Sequence, residues 1–162
     1  MNAGNAIVVA GTLNGVLPAL GVNLCPAVAS DGPDLALVRL QGPGLACVST
    51  RVLTGPGEQF ATAVTLDDIG DVFIAGLYSA AAMLVLDQTA LPATLPNEKD
   101  ALVLRLNALN EVQWAMPLPA HLPLGDLRAP DLAVSNSAVL VAGVFQGTRD
   151  FATETLFADG NS

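Results

Sequence analysis

A chain of 162 residues, 52% hydrophobic and 13% charged, can bury one ordinary core and is not a disordered tail. Six Lys and Arg against fifteen Asp and Glu give a formal charge of -9, which excludes the basic stripe that nucleic acid needs and disfavours anionic lipid. No run approaches the roughly 18 consecutive apolar residues of a membrane helix, and two cysteines are too few for a disulfide framework or a closed zinc site.

Short apolar or alternating runs recur along the chain, separated by Gly, Pro, Asn and Asp. That is the pattern of many short strands. The N-terminus carries no Lys or Arg before its apolar run, so a signal peptide is not expected there. The first predicted strand covers Ala6 to Thr12. A loop passes Leu17-Pro18 and Cys25-Pro26 to Asp31-Gly32-Pro33, and Asp34 to Leu40 follows, apolar on both faces as in a strand covered on both sides. Gly42-Pro43-Gly44 turns the chain into Leu45–Leu53. After Gly55-Pro56-Gly57 the strand Phe60–Leu66 leads through a tight turn, Asp67-Asp68-Ile69-Gly70, into Asp71–Tyr78. A long apolar loop from Ala80 to Glu98 precedes Asp100–Leu106. Asn107–Asn110 then turns into Glu111–Leu118. Asp131–Ser135, a turn at Asn136-Ser137, Val139–Phe145 and a final stretch from Phe151 complete the chain.

Three of these strands end in the same way: Ile7 to Gly11, Asp71 to Gly76 and Val139 to Gly143. Their glycines stand 65 and 67 residues apart. Asp34–Leu40 and Asp100–Leu106 match at an offset of 66, with Trp114 where Cys47 stood. Self-similarity at such a period marks a repeat architecture. Four antiparallel strands per unit suggest propeller blades. The expectation is all-β: a partial β-propeller of about two and a half four-stranded blades packed face to face. Residues 1–54 form an incomplete first blade with its last three strands. Residues 55–118 form a complete second blade. Residues 119–162 form an incomplete third, with two strands and the following loop. The chain thus begins and ends in mid-repeat. Phe60–Leu66 lies nearest the axis, and the Ala-Gly endings suit close approach there.

The pattern resembles the bacterial β-propeller repeat proteins of the SBBP type and their relatives. The matching elements are Ala63-Val64-Thr65-Leu66-Asp67, Gly70 to Gly76, Asp100 to Leu106, and Val112-Gln113-Trp114. Departures are Asp71 at an Asn position, Arg39 and Arg105 at a Lys position, and a Trp in one copy only. The resemblance implies a propeller and an exported, surface-associated life: extracellular, cell surface or periplasmic. It carries no catalytic residues to transfer.

Candidate sites are few. Asp67, Asp68 and Asp71 could collect a Ca²⁺, but the third copy offers Ser135, Asn136 and Ser137, so hairpin turn chemistry is preferred. His121, the single histidine, lies in a Pro-bounded stretch read as an exposed loop, and no Gly-x-Ser-x-Gly elbow accompanies it. Asp34 and Asp100 open equivalent strands and are expected to accept backbone N–H groups. Arg39 and Arg105 are expected to lay their stems on apolar surface with their heads in water. Trp114 is expected to pack between blades. Cys25 and Cys47 are either bridged or two buried thiols.

The reading is a non-enzymatic scaffold or recognition module without catalytic, cofactor or metal residues. Its expected partners are further blades, or another copy, through exposed blade faces, with a protein or carbohydrate ligand at the loops Leu17–Pro33 and Ala80–Lys99. Alternatives are a fragment of a propeller enzyme, a hydrolase or lyase acting at the central channel, and a structural array joined through open faces.

Overall fold

The computed structural model describes residues 6–19, 25–124, 128, 130–135, 138–151 and 154–157. It is all-β, as the alternation implies, with no helix among the described residues.

The first sheet is a meander of β1 (Ala6–Leu17), β2 (Val28–Gln41) and β3 (Ala46–Leu53), in that order. The second has β4 (Glu58–Leu66), β5 (Val72–Ser79), β8 (Glu98–Leu106) and β9 (Val112–Pro123), again in chain order and antiparallel throughout. Between β5 and β8 the chain makes a separate hairpin, β6 (Leu84–Leu86) with β7 (Thr89–Leu91). Two more hairpins follow, β10 (Asp131–Ser135) with β11 (Ala138–Ala142), and β12 (Thr148–Phe151) with β13 (Glu154–Phe157).

The two large sheets pack face to face, and alternation decides which residues meet. From β2, Leu35 and Leu37 enter the core with Leu53 of β3. From the second sheet come Val72, Ile74, Leu102, Leu104 and Leu106, each fully buried. Burying one such side chain stabilises by about 1.5–3 kcal/mol. The residues between them on β8 point the other way: Ala101 joins Leu77, Ala120 and Leu122 in a second cluster on the opposite face. A strand covered on both faces has little room for polar residues, which explains the unbroken apolar run of Ala101 to Leu104.

Three strands run further than their sequence suggests. β1 continues to Leu17 and β2 starts at Val28, pairing Gly15 with Ser30 beyond a register shift. β9 reaches Pro123, past the expected boundary at Leu118, because β8 offers Glu98 and Lys99 as partners for Pro123 and Leu122. Cys25 and Cys47 are joined by a disulfide with Cα atoms 5.0 Å apart, tying the segment before β2 to β3. The turn expected at Asn136-Ser137 lies outside the described residues, as does part of the loop from Leu17 to Pro33.

Candidate functional site

The β4–β5 and β8–β9 turns are built alike. In the first, the Asp67 carboxylate accepts the N–H groups of Ile69 and Asp71 at 3.1 and 2.9 Å. In the second, the Asn107 side-chain carbonyl accepts those of Leu109 and Glu111 at 2.9 and 3.0 Å. The fourth residue of each turn has positive φ, 90° at Gly70 and 63° at Asn110, and donates its N–H back to the first residue. Only Gly and Asn enter that region at small cost. The shared signal, an Asx followed three residues later by Gly or Asn and then an acid, is present in the sequence. It was legible as two turns, but not as two copies of one turn.

Arg39 crosses from β2 into the gap between these turns. Its Nη1 donates to the Gly70 carbonyl at 2.8 Å, and Nη2 to the Asn107 carbonyl at 3.4 Å. Nε and Nη2 both reach Asn110 Oδ1, at 3.3 and 3.2 Å. Asn110 is itself held by Ser49 Oγ at 2.7 Å and by Arg51, which also pairs with Asp87. The expectation of a solvated guanidinium fails here: Arg39 is 7% exposed. Turn carbonyls replace its water, because the equivalent positions of two turns converge on one point. Burial pushes its pKa below the ordinary value, and the negative charge of Asp71 partly opposes this. Arginine nonetheless stays charged.

Arg105 holds the repeat-equivalent place on β8 but points from the opposite face of the second sheet. Its Nε and Nη2 meet Asp71 Oδ2 at 2.8 and 2.6 Å, and its guanidinium lies over the Phe73 ring at 5.7 Å. Trp114 meets Phe73 edge to face, with ring centroids 6.1 Å apart. These side chains form one wall of a cleft of about 450 Å³. Ser135, Ala138 and Val139 form the other wall, with Asp67 and Asp68 at the rim. A second, apolar cleft of about 380 Å³ shares Val139 with it and runs along Met116, Leu118 and Val141. Trp114 therefore packs on Phe73, yet also borders open space. The three aspartates have separate tasks: Asp67 caps its turn, Asp71 pairs with Arg105, and Asp68 is exposed.

The remaining candidates lie elsewhere. His121 belongs to β9, not to a loop, and is half-buried with φ at 51°. Its Nδ1 lies 2.7 Å from Glu98 Oε2. It sits at the opposite end of β9 from Trp114, and no hydroxyl or thiol bonds to its ring among the described residues. Asp100 accepts the His121 N–H at 2.9 Å, the backbone role expected of it. Asp34 instead accepts the Ser30 hydroxyl at 2.6 Å. Lys99, which sequence reasoning passed over, is 6% exposed and lies 4.5 Å over the Phe60 ring. The apolar stretch Ala80–Lys99 is explained by its hairpin, whose Leu84, Leu86 and Leu91 enter the main core.

Taken as chemistry, the Arg105 cleft offers a charge pair, an indole edge and apolar walls. It can hold a ligand, but it sets no nucleophile beside a base. No protein-family model matches the chain, and neither a curated protein nor a solved structure matches it.

Proposed function

We propose that the chain is a non-enzymatic β-propeller repeat segment of the kind the SBBP-type proteins contain, acting as a scaffold or recognition module of an exported or surface protein. One observation carries this reading: the same step is taken twice. Leu35, Leu37 and Arg39 on one face of β2 meet the second sheet. Ala101, Val103 and Arg105, their counterparts 66 residues on, share the face of β8 that borders β10–β11. Sheets stacked by one repeated operation are what blades require. In this reading residues 1–54, 55–118 and 119–162 are the successive units, and recognition uses the Arg105–Trp114 cleft.

The test is a panel of peptides and glycans scored for both quenching of Trp114 and product formation. Saturable quenching without product is expected. Turnover that disappears in His121→Ala would favour the enzyme-fragment alternative instead. A second reading, a structural array, is favoured by the outer face of the first sheet. Ile7 and Val9 there are 45% and 53% exposed, although their repeat counterparts Val72 and Ile74 are fully buried. Such a face invites another sheet.

A further inference from the structure

The β10–β11 hairpin is half of a sheet. β5 pairs with β4 on one side and with β8 on the other. β11 matches β5 at an offset of 67, from Val139 against Val72 to Gly143 against Gly76. Yet among the described residues β11 pairs with β10 alone. Its other edge presents unpaired backbone groups beside the apolar cleft, and an edge of that kind is a template for strand pairing.

The side chains already take the matching orientation. Val139 and Val141 line the cleft, as Val72 and Ile74 face the first sheet, while Leu140 between them is 69% exposed. Across the cleft stand Met116, 48% exposed, and Trp114. The interface between the first two sheets supplies the template for what fills this space. There the strand paired with β5 is β8, and it turns Leu102, Leu104 and Leu106 toward the neighbouring sheet.

We infer that the free edge of β11 accepts an extended polypeptide strand with the alternation of Asp100–Leu106, laid antiparallel along Val139 to Gly143. Its Leu side chains fill the cleft against Trp114 and Met116. Main-chain bonds supply the pairing, and alternate side chains supply the selectivity. The expected register places Leu106 opposite Val139, Leu104 opposite Val141 and Leu102 opposite Gly143, the relation these residues have to Val72, Ile74 and Gly76. Arg105 of the incoming strand would then face solvent beside Leu140. The inference rests on the repeat reading above and adds to it a partner of defined chemistry.

The experiment adds a synthetic peptide with the sequence of Glu98–Leu106, carrying a solubilising tail, to the full chain. Trp114, the single tryptophan, reports its arrival. Saturable blue-shifted emission is expected, together with new hydrogen-exchange protection of the Ala138–Ala142 amides. A peptide with Leu102→Ser and Leu104→Ser should bind at least roughly tenfold more weakly, because its apolar face is gone. One with Val103→Ser, altered on the solvent face, should bind within about threefold of the parent. Absence of a saturable shift, equal binding by both altered peptides, or protection confined to other strands would overturn the inference. Leu35 and Leu37 amides are followed in the same experiment. If they are protected while β11 gains nothing, strand addition fails and the stacked-sheet reading survives. If they exchange freely, the stacked-sheet reading fails, and the inference with it.

Discussion

Replacing Arg39 by methionine tests the account of how the sheets are held in register. Methionine fills much of the volume and keeps the apolar stem contacts. What it removes is the bonding to Gly70 O, Asn107 O and Asn110 Oδ1. Asn110 is 2% exposed, so its Oδ1 is left without water; an orphaned buried acceptor costs about 1–3 kcal/mol. Gly70 and Asn107 are half-buried, so water can reach their carbonyls, and each loses only about 0.5–1.5 kcal/mol. Removing a buried charge recovers part of this. The net expectation is a destabilisation of about 2–4 kcal/mol, from these sums and offsets. Urea unfolding followed by circular dichroism measures it as a lower midpoint. Arg105→Met is the internal control. Its side chain is 35% exposed and its pairing is with Asp71 at the cleft wall, so its loss should cost under about 1 kcal/mol. In Arg39→Met/Asn110→Leu the two costs should fall short of adding, since both remove the same contact. If Arg39→Met were neutral, or no worse than Arg105→Met, the latch would have no energetic content and the reasoning would be refuted.

Two further outcomes are expected. A methyl group added at Gly76 would stand 2.1 Å from the Phe60 carbonyl oxygen, across the register shift between β4 and β5, whereas one at Gly11 meets no atom within 4 Å. Gly76→Ala should therefore lose about 1–3 kcal/mol in thermal or urea unfolding and Gly11→Ala almost nothing; equal effects would show that the close approach is absent. Burial, with the Asp100 charge second, pushes the hydroxyl of Tyr78 up to about 12 from 10.0. The folded chain thus keeps its proton where the unfolded chain loses it. The stability Tyr78 contributes is intact below pH 10.0 and is lost progressively as the pH rises toward about 12. Tyr78 is the single tyrosine, so tyrosinate absorbance reports it alone. Tyr78→Phe should flatten the decline of Tm over that window, and parallel profiles would contradict the assignment.

The strands, their antiparallel order and the glycine-ended repeat were legible because each is a local property. Alternation sets the two faces of a strand. A Gly or an Asx sets a turn. An offset of 66 residues can be read without knowing where anything lies. The extensions of β1, β2 and β9 were not legible, because a strand lasts as long as its neighbour offers a partner, and neighbours come from distant sequence. The cysteines stayed open for the same reason: their spacing allows a bridge, but only the approach of the segment before β2 to β3 makes one.

Arg39 and Arg105 draw the boundary most clearly. By sequence they are the same residue at the same step of a repeat. Tertiary structure makes one a buried latch and the other the wall of a cleft, because two turns converge on Arg39 while Arg105 meets a hairpin of two strands. The pattern of side chains along the chain determined which faces are apolar and how the strands alternate. What lies against each face was decided by packing between segments far apart in sequence, and a residue's solvation, charge and availability to a ligand depend on that neighbour.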